Sequence, residues 1–169
     1  MTNRKRIYRE EAVYFVTSTT KDRKPYFSDT DLAEILQEQF YHYEDAYDYS
    51  IHAYAIMPDH YHLLLTVEGE ENISQIIHAI NSYSATEINK NLDNKPKEKV
   101  WQGDPWTEVI RNEDMFRQKL AYVLLNPWRE GLVDRPQDSY EFSNLVRWKE
   151  DEGEEFLQDL FSQYGRAWE

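Results

Sequence analysis

Two periodicities alternate along this chain. Val13-Tyr14-Phe15-Val16-Thr17 is β-branched and aromatic and predicts a strand. A charged stretch at residues 21–25 follows. Ser28 stands where it can cap a helix reaching to about Asp48, with Leu32, Ile35, Leu36 and Phe40 at helical spacing. Tyr49–Met57 alternates with period two, Pro58-Asp59 predicts a tight turn, and His60–Val67 completes a hairpin. Asn72 can cap a second helix, whose Ile73, Ile76, Ile77 and Ile80 share a face. The polar run 89–99 predicts a mobile loop, and residues 106–110 a short fourth strand. Asn112 can cap a third helix carrying Met115, Phe116, Leu120 and Val123, which Pro127 is expected to stop. A loop rich in Pro, Asp and Ser leads to an acidic terminal helix over residues 151–163.

The predicted order is β-α-β-β-α-β, then one more helix and a tail. It defines an α+β, ferredoxin-like split βαβ fold: an antiparallel sheet with helices on one face. That fold hosts many activities, so function has to be argued from particular side chains.

Composition narrows the field. At 169 residues and 40% apolar, the chain is expected to form one domain with a real core. It has no cysteine, which excludes a disulfide scaffold or a thiolate metal site. No apolar run is long enough to span a membrane, and no apolar segment follows the basic start, so a cytoplasmic protein without a signal peptide is expected. The net charge of −13 argues against broad non-specific nucleic-acid binding. Yet residues 1–30 carry seven basic and four acidic side chains, against four and ten in residues 134–169. A basic N-terminal arm could therefore still grip a phosphate backbone.

Two histidines carry the chemistry. His60 and His62 lie two apart on a predicted strand, so both imidazoles project from one face and can approach one cation. Two ligands do not make a site, and a hydrogen-bonded pair of sheet histidines fits the same spacing. Tyr122 and Asn126, at i and i+4 on the third helix, are placed to join them. Asn126 offers a carbonyl oxygen suited to a hard cation, and Tyr122 a phenol that can attack phosphorus. On spacing alone Tyr122 is more readily one of 13 tyrosines packing an amphipathic helix.

The segment Tyr54-Ala55-Ile56-Met57-Pro58-Asp59-His60-Tyr61-His62-Leu63-Leu64-Leu65 resembles the histidine–hydrophobic–histidine signature of HUH endonucleases, in particular the bacterial single-tyrosine transposases. Val100-Trp101-Gln102, and then the run Tyr122-Val123-Leu124-Leu125-Asn126-Pro127 with Gly131-Leu132-Val133 after it, resemble the REP-associated tyrosine transposases. The likeness spans about residues 8–148 and leaves an acidic tail at 149–169 outside it. Two motifs in order, about 60 residues apart, are more specific than either alone. There are departures: Asp59 where Asn is common, Trp128 in place of a small apolar residue, and a loosely matching ending at residues 140–144.

The resemblance implies that His60, His62 and Asn126 hold Mg²⁺ or Mn²⁺ and that Tyr122 attacks the scissile phosphate. A 5′-phosphotyrosyl link and a free 3′-OH would result. The helix bearing Tyr122 would be the catalytic addition to the fold. The ester keeps the energy of the broken bond, and consistently the chain has no Gly-x-x-x-x-Gly-Lys-[Ser/Thr] loop. The substrate implied is single-stranded DNA beside hairpins, acted on by a monomer or homodimer. Arg4, Lys5, Arg6 and Arg9, with Lys21, Arg23 and Lys24, are the phosphate-binding candidates, against a reading as a solvated basic end. Trp101 and Trp106 are candidates for stacking with bases, with core packing the competing role. His42, His52 and His78 are expected to be ordinary structural or surface residues. A hairpin-binding protein without turnover, and a metal-dependent hydrolase using water, remain the alternative readings.

Overall fold

A computed structural model describes residues 13–92 and 97–165. Its elements are β1 (Val13–Thr19), α1 (Thr30–Tyr47), β2 (Tyr49–Met57), β3 (His60–Val67), α2 (Ile73–Asn91), β4 (Trp106–Val109), α3 (Glu113–Arg129), α4 (Leu145–Glu152) and α5 (Glu154–Tyr164). The sheet order is β2-β3-β1-β4, antiparallel throughout. This is the split βαβ arrangement. β3 lies inside the sheet and pairs on both sides, so its side chains are buried on both faces.

The helices do not keep to one face. α1 and α2 pack with Val16, Tyr54, Ile56, Tyr61, Leu63 and Leu65. α3, α4 and α5 cover the opposite face, against Phe15, Ala53, Ala55, Met57 and Leu64. The reason lies in that second set: five apolar side chains on the supposedly open face need a cover. The amphipathic α3, with Leu120, Val123 and Leu124 buried, supplies it.

Four local expectations change. Asp29, not Ser28, caps α1, its carboxylate accepting from the Asp31 N–H. Pro127 does not stop α3, which runs on to Arg129. Proline removes one intrahelical donor, and the last turn is closed by Glu130 N–H to Asn126 O and Leu132 N–H to Pro127 O. Gly131, at φ 77°, then makes the left-handed exit. The terminal helix is two helices, broken at Gly153. α2 extends into the polar run as far as Asn91, and the Asn89 side chain pins Glu98 by accepting its N–H and donating to its carbonyl. Among the described residues no helix is long and apolar enough to cross a membrane.

Candidate functional site

The period of β3 sends His60 and His62 to the same face, with ring centroids 4.8 Å apart. α3 buries them there, at 5% and 3% exposure. Each ring is held through Nδ1. The register of β1 sets Thr17 opposite His62, and Thr17 Oγ1 lies 2.8 Å from His62 Nδ1. Asp59, in the hairpin turn, places Oδ1 2.7 Å from His60 Nδ1, while Arg23 Nε donates to its other oxygen at 3.1 Å. Both Nε2 atoms are thereby left for the site. His62 Nε2 is buried without a hydrogen-bond partner.

α3 brings the rest. Asn112 caps it by accepting from the Met115 N–H. The Tyr122 ring meets His62 edge-on at 5.0 Å and Phe15 at 5.8 Å. Two turns further along, Glu130 Oε1 stands 3.8 Å from His60 Nε2. Asn126 sits midway on that helix face, between a residue touching His62 and one reaching His60. It is 5% exposed, and its Oδ1 has no hydrogen-bond partner.

The electrostatics follow from this packing. Burial, then the nearby His60 and the Lys119 ammonium, hold His62 well below the ordinary imidazole range, so its ring is neutral and able to donate a lone pair. Burial alone would raise the Asp59 carboxyl, but its bonds and charge contacts with His60 and Arg23 outweigh that and lower it. Among the described residues no three His, Cys, Asp or Glu side chains form a metal-ligating cluster. Two imidazole nitrogens and an amide oxygen, two of these atoms buried without partners, fit a divalent cation.

The basic candidates fare unevenly. Lys21, Arg23 and Lys24 are exposed beside the hairpin turn. Arg23 is paired with Asp59, and Lys24 Nζ with Glu98 at 3.2 Å. Arg4, Lys5, Arg6 and Arg9 lie outside the described residues. Trp101 is a core residue, its Nε1 donating to Asn81 O, whereas Trp106 is 63% exposed on the edge strand. His52 pairs with Thr66 Oγ1 at 2.6 Å, and His42 rests on Tyr43. His78 is exposed, 3.4 Å from Ser82 Oγ.

Sequence reasoning missed Thr17, Phe15, Lys119 and Glu130. The first two become visible once β1 is laid antiparallel to β3. The others share the helix face of Tyr122 and Asn126, at spacings of three and four residues.

The sequence model of the family described as "Transposase IS200 like" matches residues 9–110. The chain belongs to the IS200-like transposase family. The match contains both histidines and ends before α3. Among relatives of this transposase, a Haemophilus influenzae protein named as a REP-associated tyrosine transposase is 26% identical over 147 residues, with 82% of each chain covered. A REP-associated tyrosine transposase of Escherichia coli is 25% identical over 149 residues, covering 87% of this chain and 84% of the other. A solved structure of a REP-associated tyrosine transposase bound to a REP hairpin superposes with a TM-score of 0.69, covering 89% of this chain and 87% of that one at 23% identity. That likeness establishes a shared fold.

Proposed function

We propose that this transposase nicks and rejoins single-stranded DNA beside hairpins, with Tyr122 as nucleophile. The observation that carries the reading is the convergence on one sheet face of the Tyr122 ring, two histidines with Nδ1 already engaged, and the unpartnered Asn126 oxygen. His60, His62 and Asn126 would hold Mg²⁺ or Mn²⁺. When bound, such an ion polarises a phosphoryl oxygen and orients the phosphate.

The chain's own groups do the rest. Thr17 and Asp59 fix the two imidazoles, and Phe15 braces both His62 and Tyr122. The Tyr122 oxygen attacks phosphorus and its proton passes to solvent. The bond from phosphorus to the 3′-oxygen breaks, and that oxygen takes a proton from solvent and leaves as a 3′-OH. The phosphate stays joined to Tyr122 and to the 5′ end of the other fragment. Attack by a 3′-OH reverses the step and joins strands. The hairpin partner is proposed from the relatives' names and from the REP hairpin in the solved structure. Lys21, the basic side chain of that loop without an ion pair among the described residues, and the N-terminal Arg4, Lys5, Arg6 and Arg9 are the proposed phosphate contacts.

The test is Tyr122→Phe with hairpin oligonucleotides bearing single-stranded flanks, in Mn²⁺. The wild type is expected to form a denaturant-stable covalent adduct and a free 3′-OH. The variant should fold, bind DNA and form neither. Cleavage without adduct in the wild type would point to a water-using hydrolase; binding without cleavage would point to a silent hairpin binder.

A further inference from the structure

We propose that Lys119 is a further catalytic group of this site, an ammonium that grips the scissile phosphate. The proposal rests on the tyrosine reading above. Lys119, Tyr122 and Asn126 follow one another at i, i+3 and i+7 on α3, and so line one face. Lys119 Nζ lies 4.7 Å from the Phe15 ring centroid and 5.9 Å from the Tyr122 centroid. Phe15 also stacks on His62, at 5.5 Å and 19°. One aromatic ring thus carries the ammonium, the nucleophile's ring and a candidate metal ligand. Glu108 on β4 fixes the ammonium from the far side, Oε2 to Nζ 3.0 Å, and the Lys119 side chain is only 17% exposed.

An ion pair tying α3 to the edge strand needs no placement beside the histidines. A fixed positive charge there even opposes binding of a divalent cation and helps keep His62 neutral. The arrangement makes sense when an anion enters between the two positive groups, which a phosphodiester does. Glu108 occupies one N–H of the ammonium and leaves two for a non-bridging phosphate oxygen. Negative charge on those oxygens grows as the Tyr122 oxygen adds, so the contact strengthens toward the transition state. The part of Lys119 is electrostatic. The exposed loop cations Arg23 and Lys24 lack this confinement, being paired at the surface with Asp59 and Glu98.

The experiment compares Lys119→Gln, Lys119→Met and Lys119→Arg. Gln can still bond Glu108, and thermal melts identify any variant that does not fold. The probe is a pool of REP hairpins with randomised single-stranded flanks. Adduct formation is followed at single turnover in Mn²⁺, and binding is measured against salt in a Tyr122→Phe background. Lys119→Gln is expected to slow adduct formation about 10²–10³-fold, as loss of one preorganised donor does. It should lower the salt slope by about 0.7, one phosphate contact on a single strand. Lys119→Arg should restore the slope and most of the rate. Wild-type rate and slope in folded Lys119→Gln or Lys119→Met would overturn the proposal, as would a loss that Lys119→Arg does not rescue. If the wild type forms no adduct, the nuclease reading fails by itself, and the salt slope still decides whether Lys119 meets a phosphate.

Discussion

Residues 61 and 62 are neighbours on β3, equally buried, and they face opposite ways. Tyr61 looks toward α1 and α2. Its hydroxyl donates to Asn81 Oδ1 at 2.8 Å, the Asn81 amide donates to Ser18 Oγ at 3.1 Å, and Trp101 Nε1 donates to the Asn81 carbonyl at 3.0 Å. His62 looks toward α3. One ring nitrogen is paired with Thr17 and the other has no partner, nor has the Asn126 oxygen. Leaving a buried polar atom unpaired costs about 1–3 kcal/mol, so the two faces use polarity differently. On one, polar groups lock a helix to the sheet. On the other they are held ready for something that arrives. Gln39 Oε1 of α1 is a further unpartnered buried oxygen, for which the structure offers no reason.

Acid should separate the two uses most strongly. His52, on the α3 side but at the other end of the sheet, is a satisfied structural histidine: it bonds Thr66 and meets Phe116 edge-on at 5.3 Å. Burial lowers its pKa to about 4. Since the unfolded chain's imidazole takes a proton near pH 6.5, the unfolded state binds more protons between the two values. Stability is therefore full above about pH 6.5 and is lost as pH falls toward 4, by about 3 kcal/mol in all. Urea unfolding across that range measures it. His52→Gln keeps a hydrogen-bonding head without titrating, and should flatten the curve by that share. Its His62 counterpart shifts in the same direction. Mn²⁺ should raise the melting temperature at pH 7, because it binds the folded site and not the unfolded chain. A wild-type curve that His52→Gln leaves unchanged would remove His52 from the structural set.

A smaller effect tests the locked face. Tyr61→Phe keeps the ring, which packs edge-on against Phe40 and Trp101 at 5.0 and 5.3 Å, and removes only the hydroxyl. It strands Asn81 Oδ1 in a buried position, so unfolding free energy should fall by about 1–3 kcal/mol. Adduct formation should be unaltered, because the residue faces away from Tyr122. A fall in cleavage at unchanged stability would show that the two faces are coupled.

Much of this contrast was readable beforehand. Strand alternation revealed β2, β3 and the shared side of His60 and His62, because period two depends only on local backbone geometry. The Asn72 and Asn112 caps were readable for the same reason. Other features depend on partners that no local pattern displays. Thr17 and Phe15 reach the histidines only through the β1–β3 register. The cover of α3 over the histidines follows from apolar residues pooled from three strands. Pro127 misled about the end of α3 because the bonds made by Glu130 and Leu132 lie beyond it. That extra turn is what brings Glu130 to His60, a contact that treating Pro127 as a stop conceals. Ser28 and Asp29 are both good caps, and the choice between them turns on where the preceding 3₁₀ turn at Tyr26–Ser28 ends.

The least expected sign of effect belongs to Asn126. Its side chain makes no hydrogen bond among the described residues, although it is buried within a helix packed on an apolar sheet face. Replacing it by Leu, of similar length, removes a desolvated oxygen and keeps the buried position filled. Helix propensity also favours Leu over Asn by a few tenths of a kcal/mol. Asn126→Leu should therefore stabilise the metal-free protein by about 1 kcal/mol, read as a higher urea midpoint with an unchanged slope. The same variant should lose the rise in melting temperature with Mn²⁺ and with it the covalent adduct. Stability gained as function is lost is the behaviour of a polar group kept for a ligand. If Asn126→Leu instead destabilises as Tyr61→Phe does, the Asn126 amide belongs with the locked polar groups of the opposite face, and the third donor must be sought elsewhere, first at Glu130.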